Sequence, residues 1–315
     1  MPSFSSQTKM EAARVPVKND CCRRAELFAL FRFCGVIGIS RGGLTLTLDT
    51  SLEPVAQRIL SLIRKVYNFP CDIRRVEREQ LNRQERTQIV LSGDDARRAL
   101  LDCRMLHEGE DGAISFDAGV GFEPQEDCCC DAYFRGVFLA CGTMQPPNKG
   151  YHLEFVVEGA QLANDLCRMF FDTGWNAHLA QRREKFVVYM KEAECIAQFL
   201  AHIGAVSAYL QMEDERMLRE IKNDVNRSVN CSTANIKKTT EAALRQIRSI
   251  ELLEKEGVLR NQPLSIRQTA EMRLEYPEAS LDELARMSNV SRSGINHRLR
   301  KLVALADSLS SPQAE

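Results

Sequence analysis

The chain has 315 residues, 44% hydrophobic and 27% charged, with a formal net charge of −1. This is globular composition with room for two or three domains, and any surface for nucleic acid must gather its positive charge locally. No apolar run approaches the roughly 20 residues of a membrane span and the start lacks a basic-then-apolar export signal, so the 12 cysteines are expected as reduced thiols in a cytoplasm.

In chain order, SFSSQTKMEAAR (residues 3–14) reads as a short amphipathic helix. Asp20 caps a second helix, CCRRAELFALFRFCG, expected to stop at Gly35 as a C′ glycine. VIGIS and LTLTLD alternate around Arg41-Gly42-Gly43, the pattern of a hairpin. Glu53 to Tyr67 is an amphipathic helix with Val55, Ile59, Leu62, Ile63 and Val66 inward. A longer hairpin spans about Cys71 to Leu91, with a polar turn around Asn82. A closing helix capped by Asp94 or Asp95 is expected to run to Leu106.

The same order then recurs. At an offset of 107 positions Cys21-Cys22 matches Cys128-Cys129, Ala25 matches Ala132, Phe31 matches Phe138 and Cys34-Gly35 matches Cys141-Gly142. The match continues from Leu46 to Leu153 and Ile59 to Leu166, and places Ile89-Val90-Leu91 against Val187-Val188-Tyr189 and 95–106 against 192–203. Each half is helix-hairpin-helix-hairpin-helix, burying one sheet face under helices. Ala25 and Cys34 in one opening helix, with Ala132, Gly136 and Cys141 in the other, form small-residue stripes that suit a close helix crossing.

FRGVFLACG (Phe134–Gly142) and FALFRFCG (Phe28–Gly35) resemble degenerate copies of the LAGLIDADG motif of homing endonucleases. The resemblance implies two αββαββα halves joined by the motif helices, with a saddle-shaped sheet for the DNA major groove. It also implies an acid before each final glycine, holding divalent metal. Those positions here are Cys34 and Cys141, and a thiol is a poor ligand for magnesium. Catalytic residues and a catalytic metal are therefore expected to be absent, with both cysteines acting as seam fillers. Arg74, Arg75, Arg78, Arg182, Arg183 and Lys185 remain candidate DNA contacts at hairpins, although Glu154 and His152 stand where the first half has Thr47 and Thr45. The repeated cysteine pairs could face each other and suit zinc. Buried packing is the simpler reading, and no metal or cofactor is expected.

From Gln211 the sequence is helical and charged. Residues 213–225 read as a linker helix, Ser232 and Asn235 as a turn or cap, and 239–256 as a strong amphipathic helix ended by Gly257. Asn226, Arg227, Asn230, Lys237 and Lys238 are secondary candidates for phosphate. SLDELARMSNVSRSGINHRLRKL (Ser280–Leu302) is the strongest functional signal. Ser280 and Glu283 have capping-box spacing, Asn289 suits a left-handed turn, and Ser291 caps a second helix whose Ile295, Leu299 and Leu302 face inward. Between Ser291 and Ala306 there is no acid. This is helix-turn-helix patterning. Arg292, Asn296, His297 and Arg300 are assigned to base edges, Ser291, Ser293, Arg298 and Lys301 to phosphate.

Together, the opening SFSS, CCRRAEL, AYFRGVFLACG, KNDVNRSVNCSTANIKKTTEAALRQI and the helix-turn-helix resemble the WhiA family of bacterial regulators. The expected fold class is α+β: two pseudo-symmetric αββαββα halves followed by an all-α helix-turn-helix domain. The expected limits are an arm at 1–19, halves at 20–107 and 127–208 within 20–208, a linker at 209–225, a DNA-binding domain at 226–309 with its motif at 280–302, and a disordered tail at 310–315. The resemblance implies a monomeric, cytoplasmic, nucleoid-associated regulator that binds double-stranded DNA without nuclease activity, in cell division and chromosome segregation or in sporulation, with a protein partner in the transcription or division machinery. An active metal-dependent nuclease and a protein-interaction adaptor are the alternatives.

Overall fold

The structure, a computed structural model, describes residues 2–40, 43–76, 85–110, 113–122, 124 and 126–310. Arg41, Gly42, Arg78, Asn82 and residues 311–315 lie outside them, so the two turns, the Arg78 contact and most of the tail assigned above are not described. The chain divides into two units, Met1–Arg219 and Glu220–Glu315.

In the first unit, Ser3 caps α1 (Phe4–Ala12) by accepting from the Ser6 amide at 3.1 Å. Helix α2 (Asp20–Cys34) runs straight into β1 (Gly35–Ser40). Gly35 has extended backbone, φ −80°, so it is no left-handed C′ stop. Its glycine identity has another cause: a Cβ there would lie 2.2 Å from the Phe31 carbonyl oxygen. Strand β2 (Gly43–Thr50), α3 (Glu53–Val66), β3 (Asp72–Val76), β4 (Arg86–Ser92) and α4 (Gly93–Asp102) complete the first half. Ser92, not an aspartate, is the N-cap of α4. The helix stops four residues short of Leu106 because Arg104 turns left-handed (φ 57°) and the Met105 amide reaches back to Leu100 O at 2.9 Å, a Schellman-type close. Leu106 belongs instead to a small hairpin, β5 (Leu106–Glu108) with β6 (Ile114–Phe116).

The second half repeats the plan with α5 (Asp127–Cys141), β7 (Gly142–Met144), β8 (Leu153–Val157), α6 (Ala160–Asp172), β9 (His178–Arg182), β10 (Lys185–Met190) and α7 (Ala193–His202). The sheets are antiparallel with matching orders, β1-β2-β4-β3 and β7-β8-β10-β9. The register corrects one pairing. Leu48 faces Ile89, and Phe155, its repeat partner, faces Val188. Ile89 therefore corresponds to Val188 and Leu91 to Met190, one residue beyond the expected match. A one-residue slip exchanges the two faces of a strand, and Ile89, Leu91, Val188 and Met190, which join the main hydrophobic core, fix which face is inside.

Helices α2 and α5 pack as the seam. Gly136 permits the contact: a Cβ there would sit 2.5 Å from Glu26 O and 2.7 Å from the Ala29 Cβ. Inside the seam is a fully buried carboxylate. Glu26 accepts from Arg58 Nε and Nη2 at 2.6 and 2.8 Å and from Arg135 Nε at 3.1 Å, while Arg135 also donates to Ile203 O at 3.1 Å. Buried charge persists only when paired and hydrogen-bonded, and this ion triad ties α2, α3 and α5 together.

Helix α8 (Val206–Lys255) is continuous and crosses the boundary between the units. The turn expected at Ser232–Asn235 does not form; Thr239 Oγ1 instead donates to Asn235 O at 2.9 Å within the helix. In the second unit α8 ends before Gly257 (φ 72°) and is followed by α9 (Leu264–Glu275), α10 (Leu281–Ser288) and α11 (Arg292–Ser310). Ile250, Leu253, Ile266, Ala270, Leu284, Ile295, Leu299 and Leu302 form its core.

Candidate nucleic-acid interface

The turn between α10 and α11 is built as its sequence chemistry dictates. Ser280 N donates to Glu283 Oε2 at 2.7 Å while Glu283 N donates to Ser280 Oγ at 3.3 Å, closing a capping box. Accepting that amide bond holds the Glu283 carboxyl below the ordinary carboxylate range. Asn289 is left-handed at φ 51°, ψ 37°. Ser291 Oγ accepts from the Gly294 amide at 3.2 Å, capping α11. A Cβ on Gly294 would lie 2.8 Å from Val290 Cγ1, so a residue without a side chain lets the first turn of α11 settle against the corner.

Leu299, Leu302 and Ile295 are completely buried, which turns the opposite stripe of α11 outward. Ser291, Arg292, Ser293, His297, Arg300 and Lys301 are exposed, and Asn296 is half-buried. The side chains of Asn296, His297, Arg300 and Lys301 have no hydrogen-bonding or ionic partner among the described residues. Arg292 pairs with Asp282 of α10 at 3.2 Å. Arg298 departs from its expected role: half-buried, it approaches Ser265 O and Thr269 Oγ1 at 3.4 Å, bracing α11 on α9 rather than reaching outward. Of the secondary set on α8, Arg227 pairs with Asp224 and Lys237 lies 3.9 Å from Glu241, whereas Lys238, Asn226 and Asn230 are exposed.

In the first unit, the positions that resemble catalytic acids come together. Cys34 and Cys141, at the C-terminal ends of α2 and α5, line one cleft of about 470 Å³. Their thiols donate back to Leu30 O and Val137 O at 3.1 and 3.4 Å. Both keep a little exposed surface, yet burial of the sulfurs pushes each thiol up to about 12. Lys9, from α1, also lines this cleft and donates to Leu139 O at 3.1 Å; burial lowers its ammonium from the usual lysine range. Asp49 and Glu158 line the cleft as well, carboxylates of the strand regions rather than of the seam helices, to which the motif resemblance gives no pointer. Each is neutralised by the first residue of its neighbouring strand, Asp49 by Arg86 at 2.8 Å and Glu158 by Lys185 at 3.0 Å. Protonated thiols, an ammonium and two ion-paired carboxylates do not fit a hard divalent cation.

On the sheet faces away from the helices, Arg74 is exposed on β3. Arg182 is engaged by Glu154 at 3.2 Å, and Glu154 also meets His152 at 3.2 Å. Arg183 is exposed at the β9–β10 tip with φ 55°. Arg75 and Lys185 are likewise exposed.

A twice-repeated α+β unit with altered motif acids, on one chain with a capped helix-turn-helix, defines a degenerate LAGLIDADG-like protein with a C-terminal helix-turn-helix. The chain belongs to the WhiA family. Descriptions of the WhiA N-terminal LAGLIDADG-like domain, the WhiA LAGLIDADG-like domain and the WhiA C-terminal HTH domain match residues 20–106, 130–222 and 225–306. The protein is 39% identical over 316 residues to the probable cell division protein WhiA of Heliobacterium modesticaldum, covering 98% of this chain and 97% of that one. It is 36% identical over 316 residues to the equally named protein of Bacillus subtilis, covering 99% and 98%. Among solved structures, full-length DUF199/WhiA from Thermatoga maritima has the same fold, with a TM-score of 0.61 at 23% identity, over 98% of this chain and 99% of that one. The N-terminal LAGLIDADG domain of DUF199/WhiA aligns at a TM-score of 0.50 and 18% identity, over 65% and 91%. Among the described residues, no helix is long and apolar enough to cross a membrane.

Proposed function

We propose that this protein is a sequence-specific, double-stranded-DNA-binding regulator without nuclease activity, acting in cell division, as the names of its relatives suggest, and in chromosome segregation. The observation that carries the reading is the outward stripe of α11: Asn296, His297 and Arg300, unengaged side chains able to address base edges, beside Lys301 and Arg292, on a helix with no acid before Asp307. Arginine pairs bidentately with guanine and asparagine with adenine in the major groove. Ser291, Ser293, Lys301 and the N-terminus of α11 hold phosphate, and Arg227, Lys237, Lys238, Arg74, Arg182 and Arg183 form an outer set of contacts. The cleft at Cys34 and Cys141 supports the absence of cleavage chemistry, because its donors suit no hard metal. The first unit then serves as scaffold and docking surface, the internal repeat replaces a homodimer, and the setting is the cytoplasmic nucleoid.

The test begins with DNA fragments enriched by the purified chain from a random pool. Arg292→Ala with Asn296→Ala should lower affinity for the enriched site by about 1–3 kcal/mol for each bidentate base pairing removed and relax base preference at those positions. Unchanged affinity and preference would remove α11 as the reading helix. Incubation of the same DNA with magnesium or manganese should leave it intact; cleavage that disappears on changing Asp49 and Glu158 would restore the nuclease reading.

A further inference from the structure

The seam has a second end. At the N-termini of α2 and α5, Cys21, Cys22, Cys128 and Cys129 converge so that their four sulfurs lie within 4.8 Å of one another. Cys21 and Cys22 sulfurs are 3.9 Å apart, and the Cys22 thiol lies 3.3 Å from Cys128 O across the seam. A tetrahedral zinc–thiolate site with Zn–S bonds of about 2.3 Å separates its sulfurs by about 3.8 Å. The cluster therefore needs only a slight contraction to become a coordination sphere. Packing explains Cys22 and Cys129, which are 7% and 5% exposed. It does not explain Cys21 and Cys128, which are exposed. A single disulfide needs two sulfurs, whereas here four meet, one adjacent pair from each half of the repeat.

We infer that these four cysteines form a structural site for a soft, tetrahedral divalent cation, zinc foremost, that clamps the N-terminal ends of the two seam helices. Four thiolates fill the sphere, leaving no open position for water or substrate, which is the signature of a structural rather than a catalytic zinc. On binding, the four thiols release four protons to solvent and the zinc forms four Zn–S bonds, with no change in oxidation state. The resulting centre carries two net negative charges and sits at the start of both helices, where unpaired amides and the helix dipoles favour an anion. The two exposed sulfurs provide the entry route and the two buried ones the anchor. This inference is independent of which DNA the protein binds.

The experiment uses the full chain purified under reductant and saturated with zinc sulfate, then freed of excess metal. One zinc ion per chain should be released by a mercurial. Replacing zinc by cobalt should give the visible d–d bands and thiolate-to-metal charge transfer of a tetrahedral sulfur site. Cys21→Ser with Cys128→Ser changes only exposed side chains; it should abolish both signals while leaving the circular dichroism of the fold intact. Cys231→Ser, elsewhere on α8, should leave both signals in place. If that double variant unfolds, alkylation mapping of the wild-type chain decides instead, with zinc expected to protect Cys21, Cys22, Cys128 and Cys129 and to change the reactivity of none of the others. The inference is overturned by no stoichiometric uptake of zinc or cobalt, by uptake that survives the double serine change, or by an octahedral cobalt spectrum.

Discussion

The carboxylates of the repeated unit and the outward stripe of α11 use their polar groups in opposite ways. In the repeated unit charge is answered internally: Glu26 by Arg58 and Arg135, Asp49 by Arg86, Glu158 by Lys185, and Glu154 by Arg182. On α11, Asn296, His297, Arg300 and Lys301 present side chains that no described residue meets. Groups satisfied within the chain hold a shape, whereas groups left open on an ordered helix are available to a ligand. The LAGLIDADG-like unit thus keeps its geometry while its own contacts close part of its outer surface.

The harshest way to break this comparison is to remove the acid at the centre of the seam. Glu26→Ala leaves two guanidinium groups facing a pocket with no anion, Arg58 nearly buried and Arg135 buried. Losing one partner of a buried ion pair costs about 3–5 kcal/mol. Urea unfolding should show that loss in the repeated unit, with the helix-turn-helix transition unmoved. A loss below about 1 kcal/mol would mean that the triad is no structural tie.

Much of this arrangement could be read in the sequence, and what could not has definable causes. Ser280, Glu283, Asn289 and Ser291 announce their roles because caps and left-handed turns depend on a few local atoms. The seam was visible because its cysteines, alanines and glycine repeat at one spacing. Glu26 escaped because a charged residue in CCRRAELF looks like surface, and its two cations are distant in sequence. KFVVYM hid its register because a nearly continuous apolar run carries no alternation to count. The turn expected at Ser232 and Asn235 rested on residues whose helix penalty is only a few tenths of a kcal/mol each, too little to interrupt α8. Arg298 looked like a phosphate contact because its engagement with Ser265 and Thr269 depends on how α9 packs. Lys9 reaches the old motif corner from an arm whose docking no periodicity reveals.

That corner offers a second, smaller test. Cys34 and Cys141 have folded-state thiols raised from 9.0 to about 12 by burial. Above pH 9 the unfolded chain releases these protons while the folded chain retains them, so stability is present below that point and falls as pH rises toward 12. Each thiol accounts for at most about 1 kcal/mol per pH unit, discounted for its remaining exposure. Melting temperatures of the wild type and of Cys34→Ser/Cys141→Ser should therefore diverge in slope above pH 9, the variant losing less. Parallel slopes would show that neither sulfur is buried as the structure places it.

The finest test reopens a closed group without disturbing the fold. Glu154 holds Arg182 and His152 on the outer face of the second sheet, where Arg182 is 62% exposed and the pair contributes little to stability. Glu154→Ala should leave the melting temperature within a degree or so but release one cation and delete one anion from that face. If the second sheet lies near DNA in the complex, nonspecific affinity should rise by less than about 1 kcal/mol and the slope of log affinity against log salt should steepen by roughly one unit. An unchanged slope, with Arg300→Ala in the same assay lowering affinity for the preferred site, would mean that the duplex is not met by the second sheet. The Glu154–Arg182 pair would then serve only to close that face of the second sheet.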